Sequence, residues 1–284
     1  MCYDYSKLNE DIHSIAKNYN IIETFSIGKS VMNKEIPCLK IGAGEKKLLL
    51  SGAYHGLEYL TSAFLIKFLT NYAYHIKANH LPESKFFSKV TLYVVPMVNP
   101  DGVDIAVNGL DITNPYHRRL ISMVGIHSFN NVWQANVRGV DLNHNYDAKW
   151  QMTVEKPSPS KYGGEYIESE PETRAVVDFI RNENFDMLLA FHSQGREIYY
   201  DFDGMTGKRS EEIAKKLSEE SGYAVCCPTG TASFGGCKDW FIKEFGKEGF
   251  TVEIGSGKNP LPMKMLDNIY EENEKLIFCA MTEI

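Results

Sequence analysis

Short apolar runs alternate along the chain with longer stretches in which apolar residues return every three or four positions. Residues 21–27, 36–41, 47–53, 89–96, 186–191, 196–202 and 249–254 read as strands. Residues 6–19 place Leu8, Ile12, Ile15 and Ala16 on one helical face. The same period recurs over 57–78, 209–221, 238–245 and from 261 to the end. Ser169-Glu170-Pro171-Glu172 predicts a further helix start, with Ser169 as cap, Glu172 reaching back and proline in the first turn. Asn99-Pro100-Asp101-Gly102 reads as a turn. Residues 109–142 show no period and are long for a connection, which points to a functional loop. Residues 156–164, rich in Pro, Ser, Lys and Gly, read as an exposed loop. Strands alternating with helices predict an α/β fold. One domain over residues 1–284 is expected, with a mixed, largely parallel sheet flanked by helices on both faces.

One strand end stands out. The run over 47–53 leads into Tyr54-His55-Gly56-Leu57-Glu58, which turns into a helix. Residues three apart on a helical turn lie side by side, so His55 and Glu58 can present an imidazole and a carboxylate to one divalent metal. Taken alone, the pair also reads as a surface histidine and an acid at a favourable helix start. His192 closes the strand over 186–191, and Glu253 lies on the strand over 249–254. In sheets of this kind ligands gather beyond the carboxyl ends of the strands. Two imidazoles and one carboxylate suit zinc and leave a fourth position for water.

Composition narrows the alternatives. With 284 residues, 43% hydrophobic and 24% charged, the chain has ordinary globular content. Its net charge is −7 and no Lys/Arg cluster carries interleaved aromatics, so nucleic acid is not an expected partner. No apolar run reaches the roughly 18 residues a bilayer requires, so membrane insertion is not expected. The first seven residues have neither a basic nor an apolar signal region. The six cysteines include no Cys-x-x-Cys, and Cys226 and Cys227 are adjacent; reduced thiols in a cytoplasmic protein are expected. The sequence leaves the oligomeric state open.

Six short motifs occur in a fixed order: His55-Gly56-Leu57-Glu58, Asn99-Pro100-Asp101-Gly102, Gly139-Val140-Asp141-Leu142-Asn143, Phe191-His192-Ser193, Gly235-Gly236 through Asp239-Trp240, and Phe250-Thr251-Val252-Glu253. In this order, from about residue 20 onward, the chain resembles the zinc metallocarboxypeptidases of the carboxypeptidase A type. Trp133-Gln134-Ala135-Asn136-Val137-Arg138, Ala190 to Gly195 and Lys238-Asp239-Trp240-Phe241 resemble the branch that cuts between γ-D-glutamate and a diamino acid in cell-wall peptides. The resemblance implies one Zn²⁺ held by His55, Glu58 and His192, with Glu253 as general base. It implies that Asp141 accepts a hydrogen bond from His55, and a strained, cis peptide at Ser193-Gln194. The implied substrate is a small murein peptide cleaved at γ-D-glutamyl–diaminopimelate.

Departures from the family pattern bear on specificity. Ordinary carboxypeptidases have Asn-Arg where this chain has Asn143-His144, and a histidine cannot make the forked contact that clamps a terminal carboxylate. The arginine that steadies the oxyanion falls on Gln134, with Arg138 as a nearby replacement. The family's tyrosine aligns near Thr231. Lys238 falls where the pancreatic carboxypeptidases place a residue at the floor of the specificity pocket, and the resemblance implies that a cation there favours an acidic substrate group. Arg138, Asn143, His144 and Lys238 are therefore the expected substrate-binding residues. Two other readings stay open. One is a general carboxypeptidase, with His144 or Arg119 taking the carboxylate. The other is a non-catalytic zinc- or peptide-binding protein.

Overall fold

The computed structural model describes residues 2–78, 83–151, 154–227 and 234–284. Eight strands form one sheet: β1 (Ile22–Lys29), β2 (Glu35–Ile41), β3 (Lys46–Gly52), β4 (Val90–Val95), β5 (Met187–His192), β6 (Glu197–Tyr199), β7 (Ala224–Cys226) and β8 (Glu248–Glu253). Their order across the sheet is β1-β2-β4-β3-β5-β8-β6-β7. The middle strands β4, β3, β5 and β8 run parallel, whereas β2 and β6 join them antiparallel on either side. The central strands are apolar almost throughout because both faces are covered. In β3, Leu48 and Leu50 enter the core on one face and Leu49 the core on the other.

Helices α1 (Tyr5–Asn18), α2 (Tyr59–Lys77), α7 (Lys208–Ser221) and α9 (Leu266–Glu283) supply the first core, with Leu8, Phe64, Leu217 and Leu276 fully buried. Phe64 of α2 meets Phe191 of β5 with ring centroids 5.2 Å apart. Truncating either ring to alanine is expected to cost about 3–5 kcal/mol. Helices α6 (Pro171–Glu183) and α8 (Cys237–Phe245) cover the opposite face through Val177, Ile180, Trp240 and Phe241. No helix among the described residues is long and apolar enough to cross a membrane.

Several local expectations change. Asn99-Pro100-Asp101-Gly102 is not a free turn but the start of α3 (Pro100–Asn108): the Asn99 side chain accepts from Gly102 N, and proline sits in the first turn. Turn and helix-cap chemistry use the same residues, so the two were not separable. The stretch 109–142 contains two short helices, α4 (His117–Val124) and α5 (Phe129–Val132), gathered on Leu120 and Trp133 in a small third core. Ser169 does not cap α6; Glu170 takes the cap position without a side-chain bond, and Ser169 Oγ donates to Glu170 Oε1. The loop over 156–164 is only partly exposed: Tyr162, Gly163 and Gly164 are buried, and Pro159 O accepts from the backbone N–H groups of Gln134 and Ala135.

Candidate active site

Beyond the carboxyl end of β3 the chain is pinned at successive residues. Val98 N donates to Gly52 O, Asn99 N to Ala53 O, and Asn99 Nδ2 to Tyr54 O. Gly56 then passes so close to α3 that a Cβ would lie 2.4 Å from Gly102 O. Glycine is required there, because any side chain would displace the backbone that carries His55 and Glu58. His55 precedes a single turn of 3₁₀ helix, Gly56–Glu58, and Glu58 stands at the N-terminus of α2. His192 is the last residue of β5, one strand away, and lies level with Glu253 at the end of β8.

These side chains converge. Oε1 of Glu58 lies 2.9 Å from Nδ1 of His55, and Oε2 lies 3.0 Å from Nδ1 of His192. One donor atom from each of His55, Glu58 and His192 falls within 4.8 Å of the others. The two imidazole centroids are 5.0 Å apart, and His192 stacks on Tyr54 at 5.1 Å. Asp141 accepts at Oδ1 from Nε2 of His55, 3.0 Å away, as expected. Its other oxygen accepts from Lys161 N. The Ser193–Gln194 peptide is cis, also as expected.

The proton inventory shows what this arrangement suits. A neutral imidazole has one N–H. If Nε2 of His55 donates to Asp141, Nδ1 faces Glu58 with a lone pair, and a cation must lie between them. With a proton there His55 is an imidazolium. Burial works against that charge, but Glu58 and Asp141 outweigh it and raise the pKa well above the usual histidine value. Glu58 shows the converse: burial alone would raise its pKa, and His55 and His192 pull it down to about 2. Asp141 is likewise held well below the carboxylate range, since His55 and His144 overcome its burial. A buried, ionised carboxylate with two Nδ1 atoms aimed at it is a donor set that fits zinc. Asn259, which the sequence reading missed, also reaches this carboxylate, with Nδ2 3.4 Å from Glu58 Oε1.

Glu253 is a carboxylate of the opposite kind. Burial pushes its pKa well above the usual glutamate value, Glu58 and Glu197 push further, and His55 draws it back. Glu197 lies directly opposite Glu253 across the antiparallel β6–β8 pair and was also missed.

The four expected substrate-binding residues divide. Asn143 accepts at Oδ1 from Cys237 N and so fixes the start of α8. Nδ1 of His144 donates to Phe234 O at 2.8 Å. Arg138 does not join the His55–Glu58–His192 cluster. Its guanidinium lies 3.6 Å from the buried carboxylate of Glu170, in a cavity of about 310 Å³ also lined by Tyr116, Arg119 and Tyr162. A buried carboxylate without a cation is costly, which accounts for the arginine's direction. Lys238 is not a free cation: it is buried, donates to Asp201 O at 2.8 Å and forms an ion pair with Asp239. The acid that neutralises it is its own sequence neighbour, and both are drawn in with α8. Thr231 lies outside the described residues.

Comparison with known proteins follows the geometry. The family model described as zinc carboxypeptidase matches residues 8–276. The gamma-D-glutamyl-L-diamino acid endopeptidase 1 of Lysinibacillus sphaericus is 37% identical over 281 residues, covering 95% of this chain and 70% of that protein. Bovine thrombin-activatable fibrinolysis inhibitor superposes with a TM-score of 0.75 at 21% identity, covering 98% and 94% of the two chains. The murein-tripeptide amidase of Escherichia coli O157 superposes at 0.57, also at 21% identity, covering 92% and 91%. The two superpositions bear on the fold, and the family match spans nearly the whole chain. The chain belongs to the zinc carboxypeptidase family.

Proposed function

We propose that this protein is a peptidase that hydrolyses the bond between γ-D-glutamate and a diamino acid in murein peptides. A single zinc would be held by His55, Glu58 and His192. Bound there, zinc supplies Lewis-acid polarisation of the scissile carbonyl and makes water a better acid. The chain's own residues do the rest. Asp141 holds His55 through Nε2, keeping Nδ1 directed at Glu58. Glu253, level with His192 and raised in pKa by burial, is the general base: a carboxylate of raised pKa takes a proton from water readily and can return it to the leaving amine. Asn143 and His144 border this end of the sheet, tied to α8 and to the residue preceding Gly235.

The observation that carries this reading is the placement of Glu253 one strand from His192. The substrate class follows from the 37% identity to a gamma-D-glutamyl-L-diamino acid endopeptidase. The absence of an arginine fork at His144 favours it over C-terminal trimming, since imidazole offers a carboxylate one donor rather than two. We place the activity in one catalytic domain over residues 1–284 and in the cytoplasm, where six free thiols are stable. Incubation of the zinc-loaded protein with L-Ala-γ-D-Glu-meso-diaminopimelate should release L-Ala-γ-D-Glu. Intact tripeptide alongside cleaved N-blocked dipeptides would support a general carboxypeptidase instead.

A further inference from the structure

One row of the sheet carries more acid than the proposed chemistry uses. His192, Glu253 and Glu197 are mutual partners across β5, β8 and β6, so their side chains rise on one face in a line. Residues directly opposite on neighbouring strands have Cβ atoms about 4.5–5.5 Å apart, and like charges so placed repel. Among the described residues no cation pairs with Glu197. The Tyr199 hydroxyl donates to Oε2 of Glu197 at 2.6 Å and fixes the carboxylate's orientation. Arg196, the neighbour of Glu197 in the sequence, is committed to Glu272. Gly195 adds no side chain beside the two glutamates: a Cβ there would lie 3.1 Å from Glu197 Oε2 and 3.3 Å from Glu253 Cβ.

We propose that Glu197 binds the side-chain ammonium of the substrate's diamino acid, one strand beyond Glu253, and so sets the preference for a diamino acid over a neutral residue. The assignment rests on the endopeptidase reading. Hydrolysis of the γ-D-glutamyl bond releases the amine on Cα of the diamino acid, the group next to Glu253. The second amine stands at the end of a side chain of about four carbon–carbon bonds, which reaches roughly 5–6 Å when extended. That span matches the step from one strand to the next. An ammonium brings three donors, and among the described residues none donates to Glu197 Oε1. Lysine and diaminopimelate share this distal ammonium, so both belong to the recognised class.

The test compares γ-D-glutamyl-L-lysine with γ-D-glutamyl-L-norleucine, which keeps the carbon chain and lacks the ammonium. Both are assayed with the full-length, zinc-loaded protein. The wild type should prefer the lysine peptide in kcat/KM. Glu197→Gln should reduce that preference about tenfold or more, mainly through KM, since a hydrogen bond to a charged group contributes about 1.5–3 kcal/mol. Loss of the Glu197 charge also lowers the Glu253 pKa, an effect common to both peptides, so the norleucine peptide is the internal reference and the ratio of the two kcat/KM values reports the ammonium contact. Glu197→Asp, which keeps the charge, should retain part of the preference and also serves if Glu197→Gln folds poorly. A preference unaltered in both variants, or an equal loss on both peptides, overturns the assignment. A wild type that cleaves both peptides equally overturns it while leaving the endopeptidase reading intact. A wild type that cleaves neither overturns that reading and this assignment with it.

Discussion

Nε2 of His55 lies 3.0 Å from Oδ1 of Asp141, a residue 86 positions further along the chain. The contact decides which imidazole nitrogen is free. With its proton on Nε2, His55 has only Nδ1 to offer, and Nδ1 is the atom facing Glu58. Asp141 is itself fixed by the backbone N–H groups of Lys161 and Asn143, so the imidazole has little freedom to rotate.

Asp141→Asn should therefore weaken zinc binding without removing a ligand. An amide can present its N–H₂ to Nε2 and favour the wrong tautomer. Loss of such a supporting partner typically costs 10–100-fold in metal affinity. Competition with a chromogenic chelator measures this, and an unchanged affinity would show that Asp141 does not set the tautomer.

Lys238→Met separates a structural cation from a substrate-binding one. Lys238 and Asp239 form a buried ion pair, and burial raises the Asp239 pKa to about 6 even though Lys238 pulls it down. Removing the lysine strands the carboxylate, a loss of about 3–5 kcal/mol. The expected outcome is a large fall in the urea midpoint, partly recovered in Lys238→Met/Asp239→Asn. Unchanged stability together with a raised KM would restore the expectation of a free cation.

Glu172 makes stability depend on pH. It is buried in α6, accepts from Val31 N, and its pKa is raised to about 8, chiefly by burial, with Asp101 and Glu170 adding to the rise. The folded state thus holds this proton more tightly than the unfolded chain, whose glutamate titrates at 4.5. The linked stabilisation is complete below pH 4.5, declines as pH rises, and is lost above about pH 8. Its size is on the order of 5 kcal/mol. Glu172→Gln should flatten the decline in unfolding free energy between pH 5 and 8; an identical decline in the variant would place the titrating group elsewhere.

The sequence exposes those features that are local or that end a strand. His55 and Glu58 are three residues apart, and His192 and Glu253 close apolar runs, so their meeting follows once parallel strands are assumed. What stayed hidden depends on register or on distant partners. Glu197 faces Glu253 only because β6 enters the sheet antiparallel, which nothing in 196–202 dictates. Asn259 reaches Glu58 from 201 positions away. Arg138 is expected near the reaction centre because it lies four residues from Gln134, where the family's oxyanion arginine falls, but the buried Glu170 holds its charge. Helices α4 and α5 went unseen because eight and four residues are too few to show a period.

The most direct test of the proposed chemistry reads zinc content and turnover on one variant. Glu253→Gln keeps the side chain's size and removes the base, while His55, Glu58 and His192 are untouched. The account predicts one zinc per chain, as in the wild type, and hydrolysis of L-Ala-γ-D-Glu-meso-diaminopimelate slowed about 100-fold or more. A variant that retains zinc and cleaves the tripeptide at the wild-type rate would contradict it.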